Sequence, residues 1–172
     1  MWRNPWRVTG WGGILGLLLL PAVAMQFTTE VKWSGGDFLF AFLMLGSVGL
    51  AVELTVRVNP AWTYRAGMGI VLAACFLTIW INLAVGIVGN EDNPVNALFF
   101  LAPLAAIAGS VLGGFRAGGM VIVTILAAMV QVAVMLYIWV AGAGFPIGVT
   151  AFFSTLWLVA AGLFRQAARE EG

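Results

Sequence analysis

The sequence predicts an all-α fold: one polytopic bundle of about six membrane-spanning helices, with both termini on the cytoplasmic side. Three observations lead there. Of 172 residues, 62% are hydrophobic and 9% charged, whereas an average soluble domain carries about 25% charge. Six apolar stretches of spanning length follow one another, near residues 6–27, 38–56, 64–88, 95–115, 118–140 and 147–164, with no room for a soluble domain between them. The basic residues also collect in alternate connections. The whole of 1–172 therefore reads as a single integral membrane domain.

The helix starts have a consistent chemistry. Asn4-Pro5, Asn59-Pro60 and Asn93-Pro94 each set a cap-capable Asn before a Pro. Asn accepts from the first free backbone N–H groups, and Pro at the first helical position loses no needed donor. Asp37, after Ser34-Gly35-Gly36, can cap the second helix. Gly144 loosens the chain ahead of the sixth. In the first segment, Ala22-Val23-Ala24 has the form of a signal-peptide cleavage site. The apolar run reaches back through Trp11 and Trp6, long enough to span, so an uncleaved first helix is expected. Gly89 and Asn90 are expected to end the third.

Orientation follows from the connections. Arg3 and Arg7 precede the first helix, Arg57 and Arg65 flank the second connection, Arg116 marks the fourth, and Arg165 and Arg169 follow the sixth. Seven of eight basic residues thus share one side, with Lys32 alone on the other. Positive residues stay on the cytoplasmic side. Trp2, Trp6, Trp11, Trp62 and Tyr64 fall near that face, and Trp33, Trp80, Tyr137 and Trp139 near the opposite one, as amphipathic rings do at headgroup level. Trp157, deep in the sixth segment, is the exception and is expected to pack against small neighbours.

Composition excludes several functions. The net charge of +1 has no polybasic run behind it, so no nucleic-acid partner is expected. There is no histidine and one cysteine, Cys75, which removes the commonest metal ligand and general base, any internal disulfide and any cysteine-based metal site. No nucleophile-elbow, phosphate-loop or metalloprotease motif occurs. A non-catalytic protein without a cofactor is the expectation.

The candidate functional residues are the polar ones that lipid should exclude. Thr78 and Asn82 share a face of the third segment with Cys75. Gln131 lies on the fifth with Thr124, and Ser154 and Trp157 mark a face of the sixth. An amide in hydrocarbon needs a partner, so Asn82 and Gln131 should face the interior, either as interhelical hydrogen-bond glue or lining a path for a small solute. Glu53 is the one acidic residue well inside a segment. It reads as an ion pair with Arg57 at i+4, or as an intramembrane functional group. On the outer side, Glu30 and Asp37 in the first loop and Glu91 and Asp92 in the second are metal or cation candidates if the loops meet. The stretch "GNEDNPVN" has a plainer reading as a turn, with a positive-φ exit, an Asn cap and acidic residues at a helix N-terminus. Gly12-xxx-Gly16 and Gly109-xxx-Gly113 are candidate helix contacts.

The stretches "LPAVAMQFTTEVKWSGGDF" and "WINLAVGIVGNEDNPVN" resemble a family of small, uncharacterised multi-pass bacterial inner-membrane proteins. The resemblance implies a cytoplasmic-membrane location and no particular activity. The expected role is a small accessory or assembling membrane component, with the lipid bilayer, itself or a larger membrane complex as partner. The alternative is a small transporter or channel for a small solute or cation.

Overall fold

The computed structural model describes residues 5–171, so the readings of Trp2, Arg3 and Asn4 lie outside the described residues. Among those described, every regular element is helical: α1 Pro5–Phe27, α2 Gly35–Val58, α3 Trp62–Ala84, α4 Leu101–Leu112, α5 Ala117–Val140 and α6 Ile147–Glu170, with a 3-10 helix Pro94–Phe100 leading into α4. Taking Pro94–Leu112 as one span, six segments are long and apolar enough to cross a membrane, the architecture of a multi-pass membrane protein.

Local chemistry moves several boundaries from those predicted. At α2 the cap is Ser34, not Asp37. The Ser34 hydroxyl accepts from the Asp37 N–H at 3.3 Å, and the Asp37 carboxylate accepts from the Ser34 N–H at 2.6 Å, a reciprocal capping box. Asn59 folds its side chain onto Ala61 N instead of capping α3, whose N-cap Ala61 has no side-chain bond. Asn93 caps as predicted, accepting from Val95 N. α3 stops at Ala84, short of Gly89, because Gly86 already takes a φ of +72°. α6 runs on to Glu170 with Ala167 fully buried, past the predicted end at 164.

The chain divides into two compact units, the first ending at Leu54 and the second beginning at Thr55. In the first unit, α1 has no buried residue, and Leu15, Leu17, Leu19 and Leu20 are all more than half exposed. That exposure suits lipid and not water. The close approach here is at Gly49, where a Cβ would come within 2.9 Å of Ile14. The Gly12-xxx-Gly16 pattern meets nothing within 4 Å.

The second unit has its own core. α5 packs against α4 and α6, and α3 packs against α6. Small residues set the spacing: a Cβ at Gly67 would meet the Phe164 ring at 3.1 Å, and one at Gly109 would meet Val123 at 2.8 Å. Gly109-xxx-Gly113 is thus a real helix contact, since missing side chains are what let helices approach in lipid.

One end of this unit is tied by polar bonds. The Tyr64 hydroxyl donates to the Phe115 carbonyl at 2.6 Å, Thr63 donates to Glu170 at 3.1 Å, and the Asn59 amide donates to Glu171 at 2.5 Å. The start of α3, the α4–α5 turn and the end of α6 therefore share an end, and Arg65, Arg116, Arg165 and Arg169 belong to those segments. At the opposite end Asn96 organises the turn before α4. Its carbonyl oxygen accepts from Ile87 N and Val88 N, and its amide nitrogen donates to Val88 O and Asn90 O.

Candidate functional site

Two apolar clusters form the core of the second unit, and one polar residue separates them along α5. One cluster contains Met68 and Ala74 of α3, Ala127 and Ala128 of α5, and Trp157 and Phe164 of α6. The other, toward the Asn96 turn, contains Val88, Phe99, Val134 and Ile138. Between Ala128 and Val134 sits Gln131, which is 0% exposed. On α3 the next turns beyond Ala74 bring Thr78 and Asn82. On α6, Thr150, Ser154 and Trp157 follow at i, i+4 and i+7, one face of a helix. At about 1.5 Å per residue, Asn82 and Thr150 lie about 3–5 Å from the Asn96-turn ends of their helices, and Gln131 and Trp157 about 14–15 Å.

These side chains are distinguished by what they do not bond. The Thr78, Thr150 and Ser154 hydroxyls, the Asn82 carbonyl oxygen, the Trp157 indole nitrogen and both polar atoms of the Gln131 amide are buried without a hydrogen-bond partner among the described residues. The ordinary solution for a hydroxyl in an apolar helix is to bond back to its own backbone. Thr9, Ser47, Ser110, Thr124 and Thr155 all do so. The three hydroxyls of the layer do not. A buried unsatisfied group costs about 1–3 kcal/mol, so a layer of them is unexpected in a protein held together only by packing.

The predicted interior residues Thr78, Asn82 and Gln131 are thus buried in one unit, on helices that pack through α6. Of the bonds expected for the two amides, one forms, and it stays within its helix: the Asn82 amide donates to Thr78 O at 2.7 Å. Thr150 was missed from sequence; its spacing to Ser154 and Trp157 was the available signal. Trp157 does pack among small residues, as expected, in the cluster that holds Ala74, Ala127, Ala128 and Ala160.

Glu53 belongs to the first unit and has a different surrounding. Arg7 Nη2 meets its Oε2 at 2.6 Å and Trp11 Nε1 donates to its Oε1 at 3.0 Å. The i+4 reading had named Arg57 alone; a partner 46 residues away carries no sequence periodicity to reveal it. Asp37 is engaged by Ser34 in the capping box. In "GNEDNPVN", Glu91 and Asp92 are exposed, and the turn is built by Gly86, Asn93 and Asn96. Among the described residues no three Cys, Asp or Glu side chains gather as a metal-holding group.

Comparison of the chain with protein-family models, with curated proteins and with solved structures returned no match.

Proposed function

We propose that this is a small, non-catalytic multi-pass protein of the bacterial inner membrane whose second unit admits a small polar solute, as a transporter or channel. The observation that carries the reading is the layer of buried, unpartnered polar groups on α3, α5 and α6. Interhelical glue needs bonds between helices, and the two amides make none among the described residues. A solute that bonds to these groups recovers the desolvation they otherwise lose. Location is supported by the apolar helices and by the arginine-bearing segments sharing one end of the second unit, which fits a cytoplasmic face. The resemblance of the two quoted stretches to bacterial inner-membrane proteins points the same way.

The test is solute entry into proteoliposomes of the full chain, followed by light scattering over a panel of small polar molecules. Entry faster than in protein-free vesicles for at least one solute is expected, and slower entry in Asn82→Leu. A panel in which no solute enters faster than through lipid alone overturns the reading.

A second reading, an accessory component that assembles with itself or a larger complex, draws on α1, which buries no residue. Native mass in mild detergent tests it: a bare monomer that retains no other protein argues against it.

A further inference from the structure

We infer that the polar layer of the second unit recognises a small neutral molecule of the carboxamide or urea class. The Gln131 amide serves as a donor–acceptor fork and the Trp157 N–H, at the same depth, supplies the flanking contact, while the Asn82 carbonyl oxygen lies nearer the Asn96-turn end, on the way in. The inference rests on the reading of this unit as solute-admitting and specifies the solute.

The helices around the layer carry no charge along their spans. No Asp, Glu, Lys or Arg occurs from 66 to 90 or from 117 to 164, and the chain has no histidine. Every charged group of α3, α5 and α6 therefore lies at or beyond a helix end. An ion brought to the layer would lose its hydration with no counter-charge to replace it, a cost that grows steeply in low dielectric. A neutral solute escapes that cost.

The unpartnered polar atoms select further among neutral solutes. Gln131 presents an unpartnered N–H₂ donor and an unpartnered C=O acceptor in one plane. That pair matches the H–N–C=O edge of a primary amide or a urea, which can accept at its oxygen and donate from its nitrogen at once. The Trp157 indole only donates. The unpartnered Asn82 oxygen only accepts, and the amide nitrogen beside it donates to Thr78 O. An ether or ketone, which only accepts, would leave the Gln131 oxygen unpaired. A polyol both donates and accepts, but through single atoms that do not match the planar fork.

Gln131 and Trp157 are both 0% exposed and lie where the layer meets Ala74, Ala127, Ala128 and Ala160. Asn82 and Thr150 lie nearer the end that bears the Asn96 turn. The hydroxyls of Thr78, Ser154 and Thr150, able to donate or accept, continue the polar groups toward that end.

Urea and guanidinium are planar and of like size and differ in charge, so the pair separates charge from shape. Glycerol, a polyol, separates the planar fork from hydrogen bonding in general. Entry of urea, acetamide, guanidinium and glycerol into proteoliposomes of the full chain is measured for the parent, Gln131→Met and Trp157→Phe, with melting in detergent recorded for each. The expected result is entry of urea and acetamide above the lipid rate, guanidinium at the lipid rate, and a roughly tenfold fall in urea entry in each variant, the scale of one lost hydrogen bond. Melting should not fall in Gln131→Met, because an apolar chain replaces an unpartnered amide. Should Gln131→Met fail to fold, Trp157→Phe carries the test. Guanidinium entering as fast as urea, or parent-like urea entry in a folded variant, overturns the inference. Glycerol entering while urea does not also overturns it, yet leaves solute admission standing. Failure of all four together with the wider panel removes both.

Discussion

Asn96→Ala should destabilise the second unit by several kcal/mol, although the residue sits in the short 3-10 helix ahead of α4. The side chain is 4% exposed. It accepts from Ile87 N at 3.0 Å and Val88 N at 2.8 Å, and donates to Val88 O at 3.3 Å and Asn90 O at 2.7 Å. A hydrogen bond contributes about 0.5–1.5 kcal/mol net, and the 3.3 Å bond is the weakest of the set. Some of the freed backbone groups regain solvent at the exposed edge of the turn. The expected loss is therefore about 2–4 kcal/mol, roughly 5–15 °C in melting midpoint for a chain of this length. Asn96→Asp keeps the two accepted bonds but sets a carboxylate oxygen against the Val88 and Asn90 carbonyls, so it should fall as well. The control is the double variant Glu91→Gln with Asp92→Asn, whose parent side chains are exposed in the same turn. It should stay within about 0.5 kcal/mol of the parent, with or without millimolar Ca²⁺ or Mg²⁺. Thermal melting of the purified protein in detergent, followed by circular dichroism, reads all four chains. An Asn96→Ala protein that melts with the parent would refute the argument. So would a Glu91/Asp92 double variant that loses as much, because the carboxylates and not the Asn96 bonds would then hold the turn.

Three further outcomes are expected. Glu53→Gln should cost about 1–3 kcal/mol, less than a fully buried pair because Arg7 and Glu53 are 20% and 18% exposed; the exchange Arg7→Glu with Glu53→Arg should recover part of the loss, and equal melting of Glu53→Gln and parent would discount the ion pair. Gly109→Ala should lose about 1–3 kcal/mol by overpacking, since its Cβ would lie 2.8 Å from Val123 Cγ2; Val123→Ala added to it should relieve the clash, and strictly additive effects would count against the contact. On a Cys75→Ala background, cysteines placed at Lys32 and Arg116 should label from opposite sides of the membrane, Lys32 from outside; labelling of both from outside would overturn the six-span orientation.

Composition and periodicity determined the class of this protein and its six spans. Lipid requires each spanning segment to satisfy its own backbone and to be apolar along about 20 residues, so each helix announces itself locally, and all six were legible with boundaries a few residues adrift. The burial of Thr78, Asn82 and Gln131 was legible for the same reason, because a polar group in hydrocarbon must turn inward. Turn chemistry was legible at Asn93, where the capping oxygen and the Val95 N–H that donates to it are two residues apart. It was misread at Asp37, where Ser34 is the cap, and at the end of α3, where Gly86 acts before Gly89. Tertiary structure alone decided the rest. Arg7 reaches Glu53 across 46 positions, Asn96 closes a turn that begins ten residues earlier, and Glu170 and Glu171 bond to the approach to α3 from the far end of the chain. The decisive observation, that the polar groups on α3, α5 and α6 lack partners, is of the same kind. A sequence shows which side chains need hydrogen bonds; only the packing of helices distant in sequence determines which of those needs are met.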